Sequence, residues 1–96
     1  MKTVYVTIGN SDNKLTQSEW RSYTDDLTKC IRLYYSVIFG EFYSLPNSFV
    51  QNACYSGQIR QMNIPEFKQE LKKLAKKYNQ DSIAIVFGES ELLEPN

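Results

Sequence analysis

The chain has 96 residues, 42% of them hydrophobic, so it is long enough for one packed core and too short for two. Its 11 Lys and Arg residues balance 11 Asp and Glu residues, and the formal net charge is zero. This balance argues against general DNA or RNA binding, which depends on a basic surface, but it permits a small anion in a local pocket. We therefore expect one folded domain over residues 1–96.

Histidine is absent, and the two cysteines, Cys30 and Cys54, are far apart in the sequence. This composition argues against a zinc site and excludes histidine-based acid–base chemistry. We accordingly expect no enzyme activity, no metal and no cofactor. The two cysteines, the lack of a signal-peptide pattern and the lack of an apolar run of about 20 residues predict a cytoplasmic protein that is not in a membrane.

Alternating apolar residues predict a first strand over residues 4–8. The strand breaks at Gly9 into a polar loop. Thr16 and Glu19 then form a Thr-x-x-Glu capping box, which starts a helix over about residues 17–33. Apolar side chains recur along this helix at three- and four-residue steps, as expected for an amphipathic helix: Trp20, Tyr23, Leu27, Cys30 or Ile31, and Tyr34.

Aromatic and β-branched residues predict a second strand over residues 35–43, bent or bulged at Gly40. A weaker third strand covers residues 50–59. Asn63, with Pro65 in the first turn, predicts the start of a second helix. The polar face of that helix is rich in lysine, which indicates either a solvated surface or a basic partner-binding face: Lys68, Lys72, Lys73, Lys76 and Lys77.

A last apolar run predicts a fourth strand over residues 82–87, and residues 89–96 form an acidic C-terminal tail that we expect to be loosely ordered. The order strand, helix, strand, strand, helix, strand is that of a ferredoxin-like split βαβ fold. This α+β fold has a four-stranded antiparallel sheet with both helices on one face. The first and third strands should lie in the centre, with the fourth beside the first.

This topology brings the most polar turns of the chain to one end of the sheet and leaves Arg60 at the opposite end. The candidate ligand-binding residues at the polar end are Asn10, Ser11, Asp12, Lys14, Trp20, Tyr43, Ser44, Gln51, Asn52, Gln80, Asp81 and Ser82.

The chemistry of these residues suits a small nucleotide-like ligand. Loop amides and a helix N-terminus favour a phosphate, amide side chains can read a base edge, and aromatic side chains can stack on a ring. Two alternatives stay open. In the first, Asp12 and Asp81 hold a divalent cation, although two carboxylates supply few of the oxygen ligands that such a cation needs. In the second, the polar residues bind no ligand and only close turns.

Apolar excess in the fourth strand predicts a homo-oligomer. Residues 83–87 are apolar on both faces, although one face of the sheet is expected to point away from the helices. An apolar open face is usually covered by a partner, most simply in a dimer through the sheet. The other side chains assigned to this open face are Tyr5, Tyr35 or Ser36, Ile38 and Tyr55.

Several segments resemble a family of small phage and prophage proteins: Gly-Asn-Ser-Asp at residues 9–12, Gln-Asn-Ala-Cys at residues 51–54 and Gln-Asp-Ser-Ile-Ala at residues 80–84. The resemblance spans nearly the whole chain and implies a cytoplasmic location in a bacterial host. A small phage protein with a polar pocket and an oligomeric structure is similar in outline to anti-defence sponges, which are proteins that sequester cyclic nucleotide or cyclic ADP-ribose signals. The alternative is an interaction protein that inhibits a host defence protein through its sheet or its lysine-rich helix.

Overall fold

The computed structural model describes residues 1–10, 14–45, 51–89 and 91–95 of the chain. The predicted site residues Ser11 and Asp12 lie outside the described residues. The elements in chain order are β1 (Lys2–Gly9), α1 (Gln17–Tyr34), β2 (Tyr35–Tyr43), β3 (Asn52–Ile59), a 3₁₀ turn (Gln61–Asn63), α2 (Ile64–Lys77) and β4 (Ala84–Gly88).

The four strands form one antiparallel sheet in the order β2-β3-β1-β4. The α+β fold and the central positions of β1 and β3 are therefore as predicted. Gly9 of β1 pairs with Asn52 of β3, so the predicted polar turns do lie at the same end of the sheet. Lys2 pairs with Ile59 at the opposite end, which Arg60 follows. The predicted irregularity at Gly40 is confirmed by a shift in the β2–β3 register between Ile38 and Gly40.

The core lies between one face of the sheet and the two helices. Alternate residues of β1 and β3 point into it, because successive side chains of a strand face opposite sides. Each fully buried aliphatic or aromatic side chain there contributes about 1.5–3 kcal/mol of hydrophobic free energy. The fully buried members are Val4, Val6, Leu27, Ile31, Ala53, Tyr55, Ile59 and Phe67.

The start of α1 is the predicted capping box. Thr16 Oγ1 accepts a hydrogen bond from the Glu19 amide at 3.2 Å, and Glu19 Oε1 accepts one from the Thr16 amide at 3.0 Å. The predicted cap at Asn63 is wrong in its detail. Its side chain makes no capping hydrogen bond, because the 3₁₀ turn already gives Asn63 a helical backbone (φ −92°, ψ −9°) when α2 begins.

The composition of the open sheet face needs a correction. Tyr5 and Val86 lie there as a cross-strand pair and are 43% and 59% exposed. Tyr35 and Tyr55 are instead buried on the helix side. Tyr55 lies directly opposite Val6 on the neighbouring strand, and the side chain of Val6 is in the core. Because directly opposite residues point to the same face of a sheet, Tyr55 also points into the core.

No helix in the described ranges is long and apolar enough to span a membrane.

Candidate functional site

Asn10 begins the loop after β1, and its side chain is only 2% exposed. Its amide nitrogen donates to the Leu15 carbonyl at 3.0 Å and to Gln51 Oε1 at 2.9 Å. Its amide oxygen accepts from the Leu15 amide at 3.0 Å. The backbone amide of Asn10 also donates to the Gln51 carbonyl at 2.8 Å. Asn10 therefore closes the loop, and its side-chain groups are committed to the protein.

Gln51 connects this loop to the first turn of α1. Gln51 Nε2 donates to Gln17 Oε1 at 2.7 Å, and Gln17 Nε2 donates back to Gln51 Oε1 at 3.2 Å. Gln51 is buried whereas Gln17 is exposed. Since each amide group carries a second N–H, the pair presents polar groups of fixed orientation at the start of α1.

A groove of about 560 Å³ lies beside this amide pair, along the first two turns of α1. We call it the α1 groove. Its described lining residues are Gln17, Ser18, Trp20, Arg21, Thr24, Asp25, Ser44, Leu45 and Gln51. A volume of this size is in the range of roughly 300–1,000 Å³ that is typical of small-molecule sites.

The aromatic and cationic groups of the α1 groove are Trp20 and Arg21. The half-buried indole of Trp20 is held edge-on against Tyr23, with ring centroids 6.2 Å apart and an interplanar angle of 76°. Within the described parts of the chain, no carboxylate lies within ion-pair distance of the Arg21 guanidinium. The groove also lies at the N-terminal end of the 18-residue α1, where the helix dipole favours a negative charge.

Predicted site residues on the other side of the loop lie in a second groove. Lys14 Nζ is 3.4 Å from Asp81 Oδ1 and 3.5 Å from the Asn79 carbonyl oxygen, so the β1–α1 loop meets the α2–β4 connection. Gln80, Asp81 and Ser82 line a groove of about 600 Å³ between α2 and β4 and do not line the α1 groove. The polar end of the sheet therefore carries two separate grooves.

We call this second one the α2–β4 groove. Its described lining residues are Lys68, Leu71, Lys72, Ala75, Lys76, Asn79, Gln80, Asp81, Ser82, Ile83 and Ile85.

Tyr43 and Asn52 are not among the lining residues of either groove. Tyr43 Oη is 3.0 Å from Thr28 Oγ1, which in turn is 3.2 Å from Tyr55 Oη, so Tyr43 ties β2 to α1. Asn52 is exposed. Its carbonyl oxygen accepts from the Ser44 amide at 2.9 Å, and its amide donates to Ser44 Oγ at 3.1 Å. Of the predicted residues, Trp20, Ser44 and Gln51 thus meet in the α1 groove.

The sequence analysis did not predict that Gln17 and Arg21 line a groove. Arg21 reads as part of the solvated face of α1, and Gln17 only as the first residue of the helix. The signal that could have found them is their spacing, because residues 17, 20, 21 and 24 lie on one helix face at steps of three and four. What the spacing does not reveal is that the end of β2 and the start of β3 lie opposite this face.

The titratable groups of the described residues bear on metal binding and on thiol reactivity. No group of three or more His, Cys, Asp or Glu residues in the described ranges is arranged to hold a metal ion. Both cysteines are free thiols. Burial raises the pKa of the Cys30 thiol to about 11, so Cys30 stays protonated and unreactive at neutral pH. The α1 groove is therefore equipped for recognition by stacking, amide hydrogen bonds and one cation.

No protein-family model and no curated protein matches this chain. The fold and grooves define a small α+β protein of the split βαβ type, and the resemblance to phage proteins stays a prediction from the sequence.

Proposed function

We propose that the protein is a non-enzymatic binder that sequesters a small nucleotide-derived signal, and that the ligand occupies the α1 groove. The observation that carries the proposal is the meeting of three kinds of group in one groove: the indole of Trp20, the Arg21 guanidinium, and the Gln17–Gln51 amide pair. Among the described residues, the guanidinium has no ion-pair partner.

Each group suits one part of a nucleotide. The indole offers a planar face for a base, and stacking on an aromatic side chain contributes about 1–3 kcal/mol. The guanidinium and the positive end of the α1 dipole suit a phosphate, which arginine binds through two parallel hydrogen bonds. The remaining amide groups of Gln17 and Gln51 suit the hydrogen-bonding edge of a base. The Asp25 carboxylate at the rim is an acceptor for sugar hydroxyl groups.

The choice of ligands to test follows from the resemblance to small phage proteins. In that setting the ligand is an immune signal of the host, either a cyclic oligonucleotide or a cyclic ADP-ribose isomer. Sequestration of such a signal requires binding without turnover. A chain without histidine is consistent with this role, as is a groove whose described lining residues include one carboxylate and one guanidinium.

The test uses Trp20, which is the single tryptophan of the chain and reports directly on the groove. Fluorescence titration and calorimetry with cyclic di- and trinucleotides and cyclic ADP-ribose isomers should show saturable quenching with matching heat. Arg21→Gln should weaken binding by about tenfold or more, because a hydrogen bond to a charged group is worth about 1.5–3 kcal/mol. It should also reduce the dependence of binding on salt.

The control is Arg60→Gln, which removes an exposed cation at the opposite end of the sheet and should leave the affinity unchanged. Trp20→Leu should weaken binding in calorimetry while the far-ultraviolet circular dichroism stays that of the folded protein. The proposal fails if no ligand of this panel binds the folded protein, or if binding is unaffected by both Arg21→Gln and Trp20→Leu.

A further inference from the structure

The α2–β4 groove has an apolar floor and a basic rim. Leu71, Ala75, Ile83 and Ile85 supply the floor. Three lysines at four-residue steps, Lys68, Lys72 and Lys76, supply the rim along one side of α2. Because an α-helix rises 1.5 Å per residue, the outer two lysines are spaced by about 12 Å along its axis.

The rim lysines differ from the other lysines of α2 in their partners. Lys73 pairs with Glu70 at 3.1 Å and Lys77 pairs with Asp26 at 2.8 Å. Across the described parts of the chain, no carboxylate lies within ion-pair distance of a rim lysine. Lys68 Nζ lies 5.4 Å from the centroid of the Phe87 ring. The groove therefore presents three uncompensated positive charges above an apolar floor, and it fits an acidic segment with apolar side chains.

One wall of the groove is an edge strand. The sheet order places β4 at the edge, where β1 is its one hydrogen-bonded neighbour among the described strands. Its outer edge is therefore available to another extended chain. Addition of an extended segment to such an edge lets the main chain supply affinity, while alternate side chains enter the adjoining pocket. The occupant that fits is thus extended as well as acidic and apolar.

The chain contains such a segment directly after β4. Residues 91–95 read Glu-Leu-Leu-Glu-Pro, and all five are exposed. Leu92 and Leu93 are 95% and 83% exposed, so they contact neither the α2–β4 groove nor the core of their own chain. Glu91 and Glu94 flank the two leucines. Because side chains alternate along an extended chain, Glu91 and Leu93 share one side and Leu92 and Glu94 share the other. Either side of the segment therefore offers one carboxylate and one leucine.

We propose that residues 91–95 of one copy dock in the α2–β4 groove of a second copy, and that the reciprocal exchange of these segments forms a homodimer. One glutamate of the extended segment pairs with a rim lysine, and the leucine on the same side of the segment enters the apolar floor. Burial of one leucine side chain and one charge pair per groove occurs twice in a symmetric dimer. This interface involves neither the α1 groove nor the open sheet face, and it stands independently of the proposed ligand.

The test is a reciprocal charge reversal in the full chain. The groove variant carries Lys72→Glu and Lys76→Glu, and the segment variant carries Glu91→Lys and Glu94→Lys. Each variant alone places like charges in the interface and should be a monomer in light scattering at micromolar concentration. The wild type should have twice the mass of the 11.2 kDa chain. An equimolar mixture of the two variants restores opposite charges in both grooves, so it should recover the dimer.

The control carries Lys29→Glu and Arg60→Glu, which change the net charge as much as the groove variant does but lie outside the groove. It should remain a dimer. The segment variant changes only residues outside β4 and α2, so its fold is preserved even if the groove variant loses helix content.

The proposal is overturned if the wild type is a monomer throughout the micromolar range, which includes the case in which the segment occupies its own groove. It is also overturned if both variants stay dimeric, which would place the interface elsewhere, such as on the open sheet face. A mixture of the two variants that stays monomeric would overturn it as well.

Discussion

Gln17 and Gln51 exchange two hydrogen bonds between their side-chain amides, at 2.7 and 3.2 Å, although 34 residues separate them in the sequence. Asn10 extends the connection by donating to Gln51 Oε1 at 2.9 Å. The end of β1, the start of α1 and the start of β3 are thus joined by three adjacent amides. This arrangement closes the loop and also orients one wall of the α1 groove, so the same residues serve the fold and the candidate site.

The first prediction concerns Asn10→Asp. A carboxylate still accepts from the Leu15 amide, but it cannot donate to the Leu15 carbonyl or to Gln51 Oε1. Because these oxygens would then face an anion in a buried site, we expect a loss of about 2–4 kcal/mol in unfolding free energy. Urea unfolding followed by circular dichroism measures it. Asn63→Asp is the matched control and should change stability by less than about 0.5 kcal/mol, since Asn63 makes no capping hydrogen bond.

The second prediction compares two glycines of the sheet. A Cβ atom at Gly57 would clash with the Val37 carbonyl oxygen and lie 2.5 Å from the Tyr35 ring. A Cβ atom at Gly88 would have no neighbour within 4 Å among the described residues. We expect Gly57→Ala to cost about 2–3 kcal/mol, because the obstacle at Val37 is backbone. Gly88→Ala should be nearly neutral. Equal melting temperatures for the two variants would contradict the close approach of β2 to β3.

The third prediction concerns the hydroxyl group of Tyr23. Tyr23 is 1% exposed, and its Oη has no hydrogen-bond partner within the described parts of the chain. Burial raises its pKa to about 12. Because an unsatisfied buried hydroxyl group is costly, Tyr23→Phe should keep or raise the free energy of unfolding, by up to about 1 kcal/mol.

Tyr35→Phe is the matched control, because Tyr35 Oη donates to the Tyr55 carbonyl at 3.0 Å. Removal of the Tyr35 hydroxyl group leaves the buried Tyr55 carbonyl oxygen without this donor and should lower the free energy of unfolding by about 1 kcal/mol. Thermal unfolding of the two variants should therefore shift in opposite directions. A destabilised Tyr23→Phe variant would mean that the hydroxyl group has a partner.

The fourth prediction concerns the contact between the two helices. Asp26 accepts hydrogen bonds from Lys77 Nζ at 2.8 Å and from Tyr78 Oη at 2.5 Å. Lys77 first, and then Tyr78, lowers the pKa of the Asp26 carboxyl group from its ordinary value of 3.8. The folded state therefore favours the carboxylate. Its stabilising effect is fully present well above pH 3.8 and is lost as the pH falls through the lowered pKa of the folded protein.

We therefore expect Asp26→Asn to reduce the free energy of unfolding by about 1 kcal/mol at pH 7, a modest value because Lys77 is largely exposed to solvent. The difference from the wild type should shrink as the pH is lowered below 3.8. Asp25→Asn, on the same turn of α1, is the control and should change the free energy of unfolding at pH 7 by less than Asp26→Asn does. Urea unfolding at pH 7 and at pH 3 distinguishes the two variants.

Local patterns determined the elements well. The capping box at Thr16 set the start of α1, because its two hydrogen bonds involve residues only three apart. The strand alternation of Val4, Val6 and Ile8 identified the face that is buried. The Asn63 cap was predicted from residue type, which carries no information about the 3₁₀ turn that precedes it.

The candidate site was predicted less well, because it depends on contacts between distant segments. Trp20, Ser44 and Gln51 do meet in the α1 groove, but Tyr43 is bound into the Thr28–Tyr55 hydroxyl network. Gln80, Asp81 and Ser82 belong to another groove. Which segments meet in which groove depends on how the helices pack on the sheet next to distant strand ends, and a local pattern does not specify these distances.

The sequence by itself determined the order of the elements, the strand order of the sheet and the end at which the polar turns lie, because hydrophobic periodicity and the rules of chain connection act locally or on topology. Only the tertiary structure decided that the polar end is divided into two grooves and that Asn10 is committed to the fold while Gln51 also lines the α1 groove. It also decided that Arg21 and the α2 rim lysines lack ion-pair partners in the described residues. These outcomes depend on distances of a few ångströms between residues far apart in the chain, which the packing of α1 and α2 on the sheet sets.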